Sequence, residues 1–193
     1  FVKSNVLIPR QDTERLVEEV LDCCEKKSVL DLCTGSGCII ISLAKLKNLE
    51  SACGCDLSEE ALAVAKKNAE HCGVLVDFLQ GDLFQPVSKT FDIIVSNPPY
   101  IKSEEIETLM PEVRCHEPRM ALDGMADGLY FYRKIIAKAP EYLKPKGKIF
   151  FEIGSSQAQE VAKLLFNGGF GDIKVKKDYA GLDRVISAQK QDK

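Results

Sequence analysis

Four consecutive residues, Asn97-Pro98-Pro99-Tyr100, concentrate more chemistry than any other stretch of this 193-residue chain. Two prolines fix φ twice and remove two backbone donors, which leaves carbonyl oxygens without nearby N–H competition. The Asn97 side chain adds another acceptor. A planar –NH2 group has two hydrogens to donate, and Asn97 Oδ1 and the Pro98 carbonyl can take one each. Such a grip holds an amide or amino nitrogen in a fixed plane and aims it. Tyr100 offers a flat face on which the held group can stack.

A second cluster precedes it. Asp31-Leu32-Cys33-Thr34-Gly35-Ser36-Gly37 has the composition of a turn between a strand and a helix. Gly35 and Gly37 carry no side chain, so backbone can approach a ligand closely. The N–H groups that open the following helix suit a carboxylate or phosphate. Cys33 stands where a glycine is common, which predicts a negative φ there. Asp56 follows about 20 residues later, at the spacing of an acid that binds ribose hydroxyls. Asp82 can accept a hydrogen bond from an adenine amino group. These residues fit a dinucleotide and S-adenosylmethionine equally well.

The pattern of elements places both clusters on one edge. Residues 12–26 read as a helix with Asp12 as N-cap, and Leu16, Val17, Val20, Leu21 and Cys24 share a face. Strands are expected at 29–32, 52–56, 76–79, 91–95 and 148–153, and helices at 38–47, from the Ser58 cap onward, at 128–143 and at 157–166. Pro140 falls inside the third of these helices, where it can kink or shorten it. Residues 173–177 and 184–188 leave no room for a helix between them and read as a closing antiparallel pair. Residues 101–127 are irregular. Alternating strands and helices imply an α/β fold around a mainly parallel sheet, with ligands bound beyond the carboxyl ends of its strands. The glycine turn, Asp56, Asp82 and Asn97 all fall at such ends.

Composition narrows the partners. With 45% apolar residues the chain suffices for one buried core. A net charge of −3 gives no general basic field for nucleic acid. The longest apolar runs are strand-length, so no membrane span is expected, and no secretory signal opens the sequence. Eight cysteines, at 23, 24, 33, 38, 53, 55, 72 and 115, include no CxxC pair. Most sit in apolar runs and read as reduced core residues. His71-Cys72 and Cys115-His116 are adjacent pairs that do not converge on one ion, so no metal site is expected. Neither histidine reads as a base.

Asn-Pro-Pro-Tyr after a fourth strand is the signature of amino-methyltransferases. Further segments resemble one family, the release-factor glutamine methyltransferases, also called the HemK family. Residues 6–14, Val-Leu-Ile-Pro-Arg-Gln-Asp-Thr-Glu, resemble its VLIPRPET segment, with Gln11 in place of the second proline. His116-Glu117-Pro118 with Ala121-Leu122, then Asp127-Gly128-Leu129 and Tyr132-Arg133, resemble its central stretch, although Met125-Ala126 replace part of a glycine-rich turn. Phe151-Glu152-Ile153-Gly154 with Gln157, and Gly181-Leu182-Asp183-Arg184-Val185, match its closing motifs.

The resemblance implies a Rossmann-like class I fold, with a seven-stranded, mainly parallel sheet and an antiparallel last strand. It implies S-adenosyl-L-methionine as cofactor and S-adenosyl-L-homocysteine as product; a strong sulfonium donor facing a weak amide nucleophile then predicts direct in-line methyl transfer without a covalent enzyme intermediate. By motif position, Cys33, Thr34, Gly35, Ser36, Gly37, Asp56, Asp82, Leu83 and Asn97 would bind the cofactor. Leu83 would lie near adenine. Asn97, Pro98, Pro99 and Tyr100 would grip the glutamine in the Gly-Gly-Gln loop of a class 1 peptide chain release factor, in the cytoplasm.

Residues 1–193 are expected to be the catalytic domain alone. The family's N-terminal helical domain is expected to lie outside these residues, and residues 1–10 would be a remnant of the inter-domain hairpin. The competing readings are an enzyme acting on a nucleic-acid base (adenine N6 or guanine N2), a ribosomal-protein glutamine methyltransferase, a nicotinamide-dependent oxidoreductase, and a cofactor-binding module without turnover.

Overall fold

The computed structural model describes residues 6–191. The first half of the hairpin expectation, residues 1–5, lies outside them. In chain order the elements are α1 (Gln11–Leu21), β1 (Ser28–Leu32), α2 (Cys38–Leu46), β2 (Ser51–Asp56), α3 (Glu59–Cys72), β3 (Asp77–Gln80) and β4 (Phe91–Ser96). Two four-residue helices follow, α4 (Ser103–Ile106) and α5 (Pro111–Arg114), and then a 3-10 turn at Arg119–Ala121. The chain closes with α6 (Tyr130–Tyr142), β5 (Leu143–Glu152), α7 (Ala158–Asn167), β6 (Phe170–Lys177) and β7 (Asp183–Lys190).

The seven strands form one sheet in the order β3-β2-β1-β4-β5-β7-β6. β1 to β5 pair in parallel, and β7 runs antiparallel to both β5 and β6. The expected topology, with its reversed last strand, is the one observed. β1 and β4 are inner strands buried on both faces, so their apolar residues alternate between two cores rather than between core and water. Leu30, Leu32 and Ile94 pack with Tyr132 and Ile135 of α6 and with Val161 and Leu165 of α7. Val29, Ile93 and Val95 pack instead with Leu16 and Val20 of α1, and Ile40 and Leu43 of α2.

The structure moves several expected boundaries. α1 begins at Gln11, with Arg10 at the N-cap position and no side-chain capping bond. Asp12 is therefore not the cap; it lies in the first turn and pairs with Arg184 at 3.3 Å. The helix stops at Leu21, although Cys24 is still fully buried, because the chain turns at Lys26 (φ 55°) to enter β1. α6 begins two residues later than predicted. Gly128 has φ 73°, and a Cβ there would lie 2.4 Å from the Tyr100 carbonyl oxygen, so that residue belongs to the turn. Pro140 remains inside α6, near its end. β5 starts five residues early, since Leu143 already pairs with Phe91 before a register shift. Ser58 caps α3 as expected, accepting from the Ala61 N–H at 3.1 Å. Among the described residues no helix is long and apolar enough to cross a membrane.

Candidate active site

The carboxyl ends of β1, β2 and β4 open into one cavity of about 480 Å3. That is the size range of small-molecule sites. Cys33, Thr34, Gly35 and Ser36 line it, together with Asp56, Asp82, Leu83, Asn97 and Pro99. Of the residues singled out in the sequence, Gly37, Pro98 and Tyr100 do not. The sequence reading missed several others that do line it, including Thr13, Leu57, Ser58, Met120 and Phe131.

The turn after β1 is held by its own polar atoms. Thr34 Oγ1 donates to Asp31 Oδ2 at 2.6 Å, and the Thr34 N–H donates to the Cys55 carbonyl at 3.0 Å. Drawing Thr34 back onto β1 and β2 forces Cys33 to φ 58°. The negative φ expected there is thus wrong. The left-handed conformation costs roughly 1–2 kcal/mol for a residue with a Cβ, offset here by the bonds on either side. Gly37 adopts φ 79°, a left-handed conformation that favours glycine, and a Cβ there would also press on Ile41 Cδ1 at 2.7 Å. At Gly35 (φ 56°) nothing lies within 4 Å of where a Cβ would be, so that backbone faces open space.

Asp31 is fully buried, and its Oδ1 has no partner among the described residues. Loss of hydration pushes its carboxyl up to about 7 against the opposing pull of the Thr34 hydroxyl. Asp56 organises the turn from β2. Its Oδ2 accepts from the Gly35 N–H at 2.8 Å and its Oδ1 from the Ser58 N–H at 2.9 Å. A carboxylate has about four lone-pair sites, so acceptor capacity remains for ligand hydroxyls. Asp82 is half-exposed and accepts from Lys134 Nζ at 2.7 Å, leaving one oxygen uncommitted. Leu83 is buried with φ 52°. Burial raises the thiols of Cys38 and Cys55, both to about 12, so these cavity walls stay protonated and act as apolar surface.

β4 delivers the Asn97–Tyr100 segment. Ser96, fully buried, ties the strand end to β1 through Oγ donating to the Leu32 carbonyl at 2.7 Å. Among the described residues no hydrogen bond reaches the Pro98 carbonyl. The next carbonyl but one, that of Tyr100, accepts from Gln157 Nε2 at 3.1 Å, and the same amide donates to the Gly128 carbonyl at 3.2 Å. Tyr100 does not offer the expected stacking face to the cavity. Its hydroxyl donates to Glu152 Oε1 at 3.3 Å, because a buried carboxylate at the end of β5 recruits every donor within reach.

A roof closes the cavity from two distant parts of the chain. Val6, Leu7 and Pro9 come from the segment before α1, and Pro118, Arg119, Met120, Ala121 and Met125 from the irregular region. Arg10 Nη2 donates to both oxygens of Glu117, at 3.2 and 3.0 Å. Nothing in the pattern of apolar residues marks this fold-back. Among the described residues no group of three His, Cys, Asp or Glu side chains is arranged to hold a metal ion.

Residues 11–117 match the family model described as Methyltransferase small domain. The release factor glutamine methyltransferase of Geobacter sulfurreducens is 46% identical over 190 residues, which cover 97% of this chain and 67% of that protein. The protein of the same name from Clostridium acetobutylicum is 47% identical over 196 residues, covering 97% of this chain and 68% of its own. Among solved structures, the protein-(glutamine-N5) methyltransferase (release factor-specific) of Alicyclobacillus acidocaldarius superposes with a TM-score of 0.55 at 29% identity, over 96% of this chain and 95% of that one. A methyltransferase from Pyrococcus furiosus gives a TM-score of 0.71 at 19% identity, over 94% of this chain and 83% of that one, which shows the shared fold alone.

Proposed function

We propose, from the premise that this chain belongs to the release factor glutamine methyltransferase family, that its methyl acceptor is the glutamine in the Gly-Gly-Gln loop of a class 1 peptide chain release factor. The chemistry that membership carries is transfer of a methyl group from S-adenosylmethionine to the N5 nitrogen of a protein glutamine. One observation supports the assignment of parts most strongly. Asp56 and Asn97, at strand ends on either side of β1, line the same cavity. An acid suited to ribose and an amide suited to an NH2 group thus face a shared space.

The residues present fit the cofactor. Gly35 leaves open space at the turn, and Asp56 retains acceptor capacity for ribose hydroxyls. Cys33, Thr34, Ser36, Asp82 and Leu83 would form the rest of its wall, and Gly37 would set the shape of the turn. When bound, S-adenosylmethionine supplies a methyl group on a positively charged sulfur.

The chain's own residues do the remainder. Asn97 Oδ1 and the Pro98 carbonyl accept the two amide hydrogens of glutamine, which fixes the plane of the nitrogen and raises its electron density. Pro99 stiffens the segment, and Tyr100 anchors its end on Glu152. An amide nitrogen is a weak nucleophile, so orientation is the main lever, worth up to about 7–11 kcal/mol for well-held reactants. The proton becomes acidic as the new bond forms, and no dedicated base is required. A release factor acts on ribosomes, and the cytoplasm is the compartment this reading implies.

Mass spectrometry of a release factor incubated with the chain and S-adenosylmethionine tests the reading. The tryptic peptide that carries Gly-Gly-Gln gains one methyl group on glutamine. Asn97→Ala lowers kcat by roughly 100-fold while cofactor binding persists. Labelled methyl appearing on DNA, RNA or a ribosomal protein, with none on the release factor, refutes the substrate assignment.

A further inference from the structure

Glu152, at the end of β5, is 1% exposed, and in the chemistry derived above it serves only to anchor Tyr100. Two donors converge on it. Thr13 Oγ1, in the first turns of α1, reaches Oε2 at 2.7 Å, and the Tyr100 hydroxyl reaches Oε1 at 3.3 Å. Asn97 Nδ2 in turn lies 3.5 Å from Thr13 Oγ1. Both ends of the Asn97–Tyr100 segment therefore lead to one carboxylate, directly from Tyr100 and through Thr13 from Asn97.

We infer that Thr13 and Glu152 are positioning residues: together they decide which way round the Asn97 amide sits, and so present Oδ1 rather than Nδ2 to the methyl acceptor. This rests on the gripping role proposed for Asn97. A threonine hydroxyl has one proton, and a carboxylate has none to give. The Thr13 proton is committed to Glu152, so the hydroxyl shows Asn97 only lone pairs. Asn97 must meet it with its NH2 group, which leaves Oδ1 on the opposite side of the amide. Rotating that amide by half a turn would set oxygen against lone pairs at Thr13 and NH2 against the NH2 of the incoming glutamine. The 3.5 Å contact is long and contributes little energy by itself. Its effect lies in the difference between the two orientations.

Charge behind the relay keeps it in place. Arg184 is held by Asp178 at 3.1 Å and Asp12 at 3.3 Å, and its positive charge acts on Glu152. Tyr132 donates its hydroxyl to the Glu152 carbonyl at 2.8 Å. Burial raises the Glu152 carboxyl above its ordinary value, while Thr13, Arg184 and Tyr100 pull it down and Asp12 pushes it up. Protonation removes the obligate acceptor. Activity is then lost on the acid side, at a pH above the usual glutamate range.

Steady-state turnover on a release factor, with calorimetry using S-adenosylhomocysteine, tests the relay. Thr13→Val keeps the shape of the side chain and removes the hydroxyl; Thr13→Ser keeps the hydroxyl. The expected result is a kcat lowered about tenfold or more in Thr13→Val, an S-adenosylhomocysteine Kd within about threefold of wild type, and recovery to within about threefold in Thr13→Ser. Glu152→Gln, a second variant close in shape, loses the acid limb of the kcat–pH profile. Wild-type kcat in Thr13→Val, equal losses in the valine and serine variants, or an unchanged acid limb in Glu152→Gln overturns the inference. If Asn97→Ala is inactive while Thr13→Val is normal, the relay alone is wrong. If Asn97→Ala is fully active, the grip itself is wrong.

Discussion

Neutralising Asp31 will flatten the pH dependence of this fold's stability. In the native state its carboxyl is fully buried, has one oxygen unpartnered, and is pushed from 3.8 to about 7. Between about pH 4 and pH 7 the folded chain therefore binds a proton at Asp31 that the unfolded chain releases, so stability falls as pH rises through that window. Linkage with these two values gives a penalty of about 1 kcal/mol at about pH 4.5 and about 4 kcal/mol at about pH 8. The change across the window is roughly 3 kcal/mol. Asp31→Asn removes the titration. It also places an N–H where Oδ1 finds no partner, at a cost of about 1–3 kcal/mol that does not vary with pH. Urea unfolding of both proteins, followed by circular dichroism at several pH values, isolates the effect. Glu152 and Asp56 are also raised by burial, but they are common to both proteins and largely cancel in the difference. The variant gains about 3 kcal/mol on wild type between the two ends of the window. A difference that stays flat with pH refutes the assignment of a buried neutral carboxyl at Asp31.

Three further outcomes are expected. Gly128→Ala drives a Cβ to 2.4 Å from the Tyr100 carbonyl oxygen at φ 73°, so the urea midpoint drops by the equivalent of more than about 2 kcal/mol and kcat falls with it. Ser58→Ala removes the cap of α3 and lowers stability by about 1 kcal/mol, read as a shift in thermal midpoint. Asp56→Ala leaves the Gly35 and Ser58 N–H groups without their acceptor, and isothermal calorimetry shows S-adenosylhomocysteine binding weakened by about tenfold or more.

Much of this could be read from the sequence for a physical reason. Inner parallel strands such as β1 and β4 are short apolar runs ended by glycine or by Asn-Pro-Pro, and those endings are where the ligand edge must lie. The sequence therefore placed Asp56, Gly35 and Asn97 at that edge, and all three line the cavity there. It did not place Thr13. Helical spacing puts it on the face of Leu16 and Val20, but nothing in the sequence shows that this face meets Glu152 at the end of β5. Cys33 misled for a related reason. A residue with a Cβ argues for negative φ in isolation, while the bonds of Thr34 to Asp31 and Cys55 override that local preference. The roof was invisible because it joins Arg10 to Glu117, 107 residues apart, through irregular chain.

That roof gives the molecule a loose ceiling over a stiff floor. The floor is a seven-stranded sheet fastened on both faces, whereas the two segments of the ceiling, one anchored by Val6 on Ala61 and Val64 and the other by Leu122 and Gly124 on Ile101, are joined to each other by the Arg10–Glu117 ion pair, its arginine 43% exposed. A clasp wetted on one side contributes about 1 kcal/mol or less, so a few-fold shift in population suffices to undo it. Added salt weakens so close a pair only as the screening length shortens toward about 3 Å near 1 M, and it leaves the buried sheet beneath untouched.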